Sequence, residues 1–157
     1  MARFVLCHCS MTPPVEDLDQ LTERIIGCAI EVHRTLGPGL LESIYRDCMM
    51  IELRCEQLRV ESERRVSLEY KGRPVDGALK LDLLVEDCIV VELKTVERIL
   101  PVHLAQVITY LKLTSYPAGL LLNFNAATLR GGLRRLDHPE RYVKKNVVGS
   151  GLIEEHS

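Results

Sequence analysis

Helical spacing governs the first third of the chain. Leu21, Ile25, Cys28, Ala29 and Val32 recur at three- and four-residue intervals and predict an amphipathic helix from about residue 20, with Asp19 or Thr22 as its cap. Leu36-Gly37-Pro38-Gly39 ends it, because glycine accepts a left-handed backbone past a helix end and proline cannot continue the helix. Leu41, Ile44, Tyr45, Cys48, Ile51 and Cys55 predict a second helix over about 40–57. From Arg59 to Tyr70 the period drops to two: Val60, Ser62, Val66, Leu68 and Tyr70 lie among charges, as in a half-exposed strand. Lys71-Gly72-Arg73-Pro74 predicts a turn, and 77–86 and 88–94 predict a hairpin joined at Glu86-Asp87. Ile89 to Lys94 is nearly continuous apolar sequence, the mark of a strand covered on both faces. Pro101 opens a third helix with the stripe Leu104, Val107, Ile108 and Leu111, and Tyr116-Pro117 closes it. Ala118–Phe124 predicts a further buried strand, followed by a short helix after Asn125. The order implies an α/β fold, a central mixed β-sheet flanked by helices, with a parallel pair formed by the strand–helix–strand crossover at 88–124.

A chain of 157 residues suits one domain. The divisions expected are a leader at 1–17, a single domain over 18–147 and a tail at 148–157. The net charge of −2 supplies no electrostatic argument for nucleic acid. Arg130, Arg134, Arg135, Arg141, Lys144 and Lys145 nonetheless cluster against only Asp137 and Glu140, as a phosphate track or a solvated tail. Six cysteines without framework spacing point to reduced thiols and a cytoplasmic location. Cys7-His8-Cys9 is too tight for a standard zinc knuckle, and no second ligand pair follows it. No stretch is long enough to span a membrane, and none reads as a signal peptide.

The chemistry concentrates in Leu81–Lys94, where Asp82, Glu92 and Lys94 interrupt two apolar strands. An unpaired ion in such a place costs several kcal/mol, on the order of a buried charge without its partner. Glu92 and Lys94 share a strand face, and a turn at 86–87 pairs Val85 near Cys88 and puts Asp82 near Val91, within reach of Glu92. Two carboxylates about 4 Å apart repel by roughly 4 kcal/mol at an effective dielectric of about 20, and a cation between them reverses the sign. Oxygen ligands favour Mg²⁺ or Mn²⁺ over zinc. Lys94 is then placed to orient or deprotonate a water, or to stabilise charge developing on a phosphate. Glu-x-Lys alone is weak evidence, since a salt bridge within a sheet has the same sequence.

These residues resemble the PD-(D/E)xK nuclease superfamily, and more closely the GxxExxY proteins within it. The naming motif is Gly39-Leu40-Leu41-Glu42-Ser43-Ile44-Tyr45, preceded by Ile30–Pro38. Asp82-Leu83-Leu84-Val85, Val91-Glu92-Leu93-Lys94 and Gln106–Leu111 resemble its later blocks, and the likeness spans about 18–125. It implies a restriction-endonuclease-like αβββαβ core. It implies Asp82 and Glu92 as metal ligands, Lys94 as the catalytic lysine and Glu42 as an additional acid near a Mg²⁺ or Mn²⁺ ion. Gln106 and Tyr110 resemble the Gln-xxx-Tyr pair of RecB-like nucleases and would act on phosphate or water, with His103 on the same helix face. Leu81 stands where the superfamily carries proline. Each extra residue also has a plainer reading: Glu42 complements a helix start, Tyr45 packs with its hydroxyl at the rim, and His33 meets carbonyls. The expected activity is metal-dependent hydrolysis of phosphodiester bonds in nucleic acid, DNA first. The alternative is a non-catalytic nucleic-acid-binding or assembly module that retains the site. Oligomeric state is open, a homo-oligomer included.

Overall fold

The computed structural model describes residues 15–140. Two helices come first, α1 (Val15–Leu36) and α2 (Glu42–Cys55). Then follow β1 (Val60–Tyr70), β2 (Arg73–Val85), β3 (Ile89–Lys94), α3 (Pro101–Thr114), β4 (Ala118–Asn123) and β5 (Leu133–Asp137). The sheet runs β1-β2-β3-β4-β5, antiparallel except for β3 against β4. That parallel pair is the crossover through α3, as the strand–helix–strand order requires. The expected mixed sheet flanked by helices is therefore the observed architecture.

Strand alternation sorts the core into two layers. Ile89, Val91, Leu93, Leu120 and Leu122 pack with α1 and α2 through Ile25, Ala29, Val32, Tyr45, Met49 and Leu53. Val90 and Leu121, one residue out of step, pack with Val107, Tyr110 and Leu111 of α3. Gly119 lets α3 close on the sheet, since a Cβ there would stand 2.7 Å from Val107 Cγ1.

Several elements differ from their sequence expectation. The first helix starts at Val15, ahead of the expected start near residue 20, and Thr22 lies within it, its hydroxyl donating to the Leu18 carbonyl at 2.8 Å. On α2 the buried stripe is Tyr45, Met49 and Leu53, whereas Leu41 and Ile51 are 73% and 61% exposed. Both stripes have helical spacing, and the side turned to the sheet is chosen by the entry of the chain through the glycine turn. Strand β2 begins at Arg73, because the turn is only Lys71-Gly72, both at positive φ (49° and 73°). After Asn125 there is a run of turns in place of the expected short helix, leading to edge strand β5. Cys7-His8-Cys9, Arg141, Lys144 and Lys145 lie outside the described residues. None of the helices among the described residues is long and apolar enough to cross a membrane.

Candidate active site

The β2–β3 hairpin turns through Glu86 and Asp87, at φ 52° and 50°, with the Cys88 amide donating to the Val85 carbonyl at 3.0 Å. Such a mirror-image turn matches the twist of paired strands. The register is Val85↔Ile89, Leu84↔Val90 and Leu83↔Val91, one residue from the expected pairing. Extended by one step it sets Asp82 opposite Glu92. Regular pairing stops there, and the Asp82 carboxylate takes over: Oδ2 accepts from the Leu93 amide at 2.9 Å.

Asp82 also marks a break in alternation. Leu84 packs with the α3 layer and Leu83 with the α1–α2 layer, so Leu81 should follow Leu83, yet it packs with α3. Opposite Asp82, between the pairs Ser62↔Leu83 and Arg64↔Leu81, Glu63 takes a positive φ of 53°. Irregularities of this kind re-aim side chains beside functional sites. The charge of Asp82 reaches both Glu42 of α2 and Glu92 of β3, so the carboxylates meet where β2 and β3 part.

Glu42 enters from the first turn of α2. Its position follows from the turn before it. Gly37 and Gly39 have φ of 66° and 106°, and the buried Tyr45 ties the turn together, donating to the Gly37 carbonyl and accepting from the Leu40 amide at 3.2 Å. Tyr45 stacks on Phe124 at 4.5 Å between ring centroids. The glycine and tyrosine of the motif are thus the backbone and packing devices that aim its glutamate. Burial pushes the Glu42 carboxyl above its usual range, Asp82 adds to this, and Lys94 and Arg46 oppose it.

Glu92 is the most perturbed group in the site. It is 3% exposed, and its carboxyl is pushed up to about 7, first by burial and then by Asp82. Lys94 Nζ donates to Glu92 Oε1 at 3.1 Å, while Oε2 is buried without a hydrogen-bond partner. A buried acceptor without a donor is uncommon in native proteins. From α3, Gln106 Nε2 donates to the Tyr110 hydroxyl at 2.7 Å, and burial and Glu92 raise the tyrosine's pKa. Glu42, Asp82, Glu92, Lys94 and Tyr110 therefore act on one another electrostatically. Among the described residues no three Asp, Glu, His or Cys side chains are so arranged that they could together hold an ion. The bare Glu92 oxygen, two neighbouring carboxylates and an all-oxygen donor set nonetheless fit a hard divalent cation.

His33 and His103 each engage backbone groups. His33 Nε2 donates to the Ala126 carbonyl at 2.9 Å, and His103 Nδ1 accepts from the Leu100 amide at 3.0 Å, capping α3. Of the basic cluster, Arg135 is engaged by Asp19 at 2.7 Å and Asp137 at 3.4 Å. Asn123, absent from the candidates above, is 2% exposed and paired with Lys94 in the β3–β4 register. Its Oδ1 accepts from the Val96 amide at 3.1 Å, and its Nδ2 donates to the Val96 carbonyl at 2.8 Å. With Phe124 N donating to Lys94 O at 2.9 Å, it fixes the chain just beyond the lysine. The signal was an amide ending a strand that is otherwise wholly apolar.

No curated protein matched the chain. The solved structure of SSO0001 shares 19% identity at a TM-score of 0.47, covering 69% of this chain and 58% of its own. A likeness that low carries no argument about function. The family model of the PD-(D/E)XK nuclease superfamily matches residues 19–136, a span holding all six candidate residues. Nucleases of this superfamily generally use divalent metals and act on nucleic acid. By that match, the chain belongs to the PD-(D/E)XK nuclease superfamily.

Proposed function

We propose that this protein, which we place with the GxxExxY proteins, hydrolyses phosphodiester bonds in nucleic acid, DNA first, with Mg²⁺ or Mn²⁺. The observation that carries the reading is Glu92: a buried carboxylate with one oxygen on Lys94, the other bare, and the charge of Asp82 acting on it. Asp82 and Glu92 would hold the ion, with Glu42 adding negative charge from α2. When bound, the cation supplies Lewis-acid stabilisation of phosphate charge and lowers the pKa of water.

The remaining work falls to the chain's own groups. Asp82 stays oriented through the Leu93 amide, so it enters the site preorganised. Lys94 is only 16% exposed and pairs with Glu92, and its ammonium would also meet an anionic phosphate or orient a water. The Gln106–Tyr110 pair offers an amide and a hydroxyl from one helix face for the same phosphate or water.

The test is cleavage of single- and double-stranded DNA and RNA by the full chain, with Mg²⁺ or Mn²⁺ and with EDTA. We expect cleavage only with metal and its loss in Asp82→Ala and Lys94→Ala. Cleavage that survives both substitutions would sink the mechanism. Binding without cleavage under every condition would favour the non-catalytic module.

A further inference from the structure

Two cations flank the site by the same periodicities that assemble it. Arg46 lies four residues after Glu42 on α2, so the two share a helix face. Leu79 and Leu81 both pack on the α3 layer, so alternation holds as far as Asp82 and puts Lys80 on the same strand face as Asp82. From those two elements the cations converge on one carboxylate: Glu63 Oε1 lies 3.5 Å from Arg46 Nη1 and 2.7 Å from Lys80 Nζ. Glu63 is the residue opposite Asp82 that takes the positive φ of 53°. A left-handed conformation at a non-glycine residue costs on the order of 1 kcal/mol and tends to gather at binding sites.

We infer that Arg46 and Lys80 form a phosphate subsite beside the metal-binding carboxylates, and that Glu63 is its resident anion, displaced when a nucleic-acid phosphate arrives. The inference rests on the proposed nuclease reading and adds to it the seat of a phosphate next to the reacting one. Three observations point the same way. A guanidinium and an ammonium on separate elements meet at a single oxygen, the geometry of two donors around a shared anion. Arg46 is half-buried and also acts on Glu42, which ties the subsite to the ion site. Glu63 is 45% exposed, so its carboxylate can swing out to water without leaving a buried charge behind. The two cations stay masked by Glu63 until a phosphate competes for them.

The test uses the full chain in EDTA, where binding is read without cleavage. Fluorescence anisotropy follows labelled single-stranded and duplex oligonucleotides across a salt series. Glu63→Gln and Glu63→Gly both release the cations, the first keeping the side-chain bulk and the second relieving the backbone. Each should tighten binding by about tenfold at low salt, where phosphate contacts dominate affinity. Arg46→Ala combined with Lys80→Ala should weaken binding and flatten the slope of log K against log salt by about 2, one per lost phosphate contact. Unchanged affinity in both Glu63 variants, from a wild type that does bind, overturns the subsite and leaves the nuclease reading intact. A second probe separates the two ideas further. Inorganic phosphate bound by Glu63→Gln, read from its ³¹P resonance, in a chain that binds no oligonucleotide would keep the subsite and refute the nucleic-acid reading. No response of Glu63→Gln to either probe overturns the subsite.

Discussion

Lys94 holds one oxygen of Glu92 at 3.1 Å and leaves the other buried and bare. That half-satisfied carboxylate makes the metal-free protein sensitive to pH. The folded-state pKa of Glu92 is raised to about 7, and that of Glu42 is raised as well, so the native state binds more protons than the unfolded chain. The stability this contributes is fully present below the ordinary carboxylate range and is lost as pH rises through about 7. In EDTA the melting temperature should therefore fall between pH 5 and pH 8, more than it does in Glu92→Gln. Added Mn²⁺ competes with the proton, so its stabilisation should be larger at pH 8 than at pH 5. Thermal melts across that range decide it. A flat profile identical to that of Glu92→Gln would contradict the burial argument.

In the proposed site Lys94 and the cation would share the Glu92 carboxylate, one oxygen each. Lys94→Ala should bind Mn²⁺ at least as tightly as the wild type while losing cleavage. Calorimetry beside a cleavage assay separates the two effects. Loss of Mn²⁺ binding in Lys94→Ala would make the lysine a scaffold for the carboxylates instead of an acting group.

Tyr45 shapes the turn ahead of Glu42. Tyr45→Phe keeps the stacking on Phe124 but leaves the Gly37 carbonyl and Leu40 amide without their partner. Urea denaturation should show a loss of about 1–2 kcal/mol, the usual cost of stranding such groups. A smaller loss would mean that water replaces the hydroxyl.

Asn123 and Gly132 fix the chain that follows Lys94. Asn123→Ala removes both bonds to Val96, and we expect a loss of about 2 kcal/mol or more in urea denaturation. Gly132→Ala would set a Cβ 2.5 Å from the Asn123 carbonyl oxygen and 2.8 Å from Ala126 Cβ, so backbone must move. We expect it to destabilise at least as much, on the order of 2 kcal/mol. A neutral effect of either change would show that the β4–β5 loop yields without cost.

Much of this arrangement was legible in the residues. The mixed sheet, the α3 crossover and the Glu86-Asp87 turn follow from period, length and turn chemistry, which act locally. Edge strand β5 was not legible, because Leu133–Asp137 carries two arginines in five residues and gains its strand form from pairing with β4. The buried face of α2 was misread because two apolar stripes compete and only the tertiary entry angle chooses between them. The convergence on Asp82 was visible in outline. What strict alternation conceals is the break at Asp82, with the positive φ of Glu63 opposite it and the meeting of Arg46 and Lys80 on Glu63.

The central claim is that Asp82 and Glu92, with Glu42 beside them, make one divalent-ion site where β2 and β3 part. Calorimetric titration of the full chain with Mn²⁺ at pH 8, compared with Asp82→Asn and Glu92→Gln, tests it most directly. One ion should bind the wild type, and each substitution should weaken it by at least about tenfold, on the order of the 1.4 kcal/mol expected for losing a charged ligand. No uptake of Mn²⁺ by the wild type, or uptake unchanged in both variants, would contradict it.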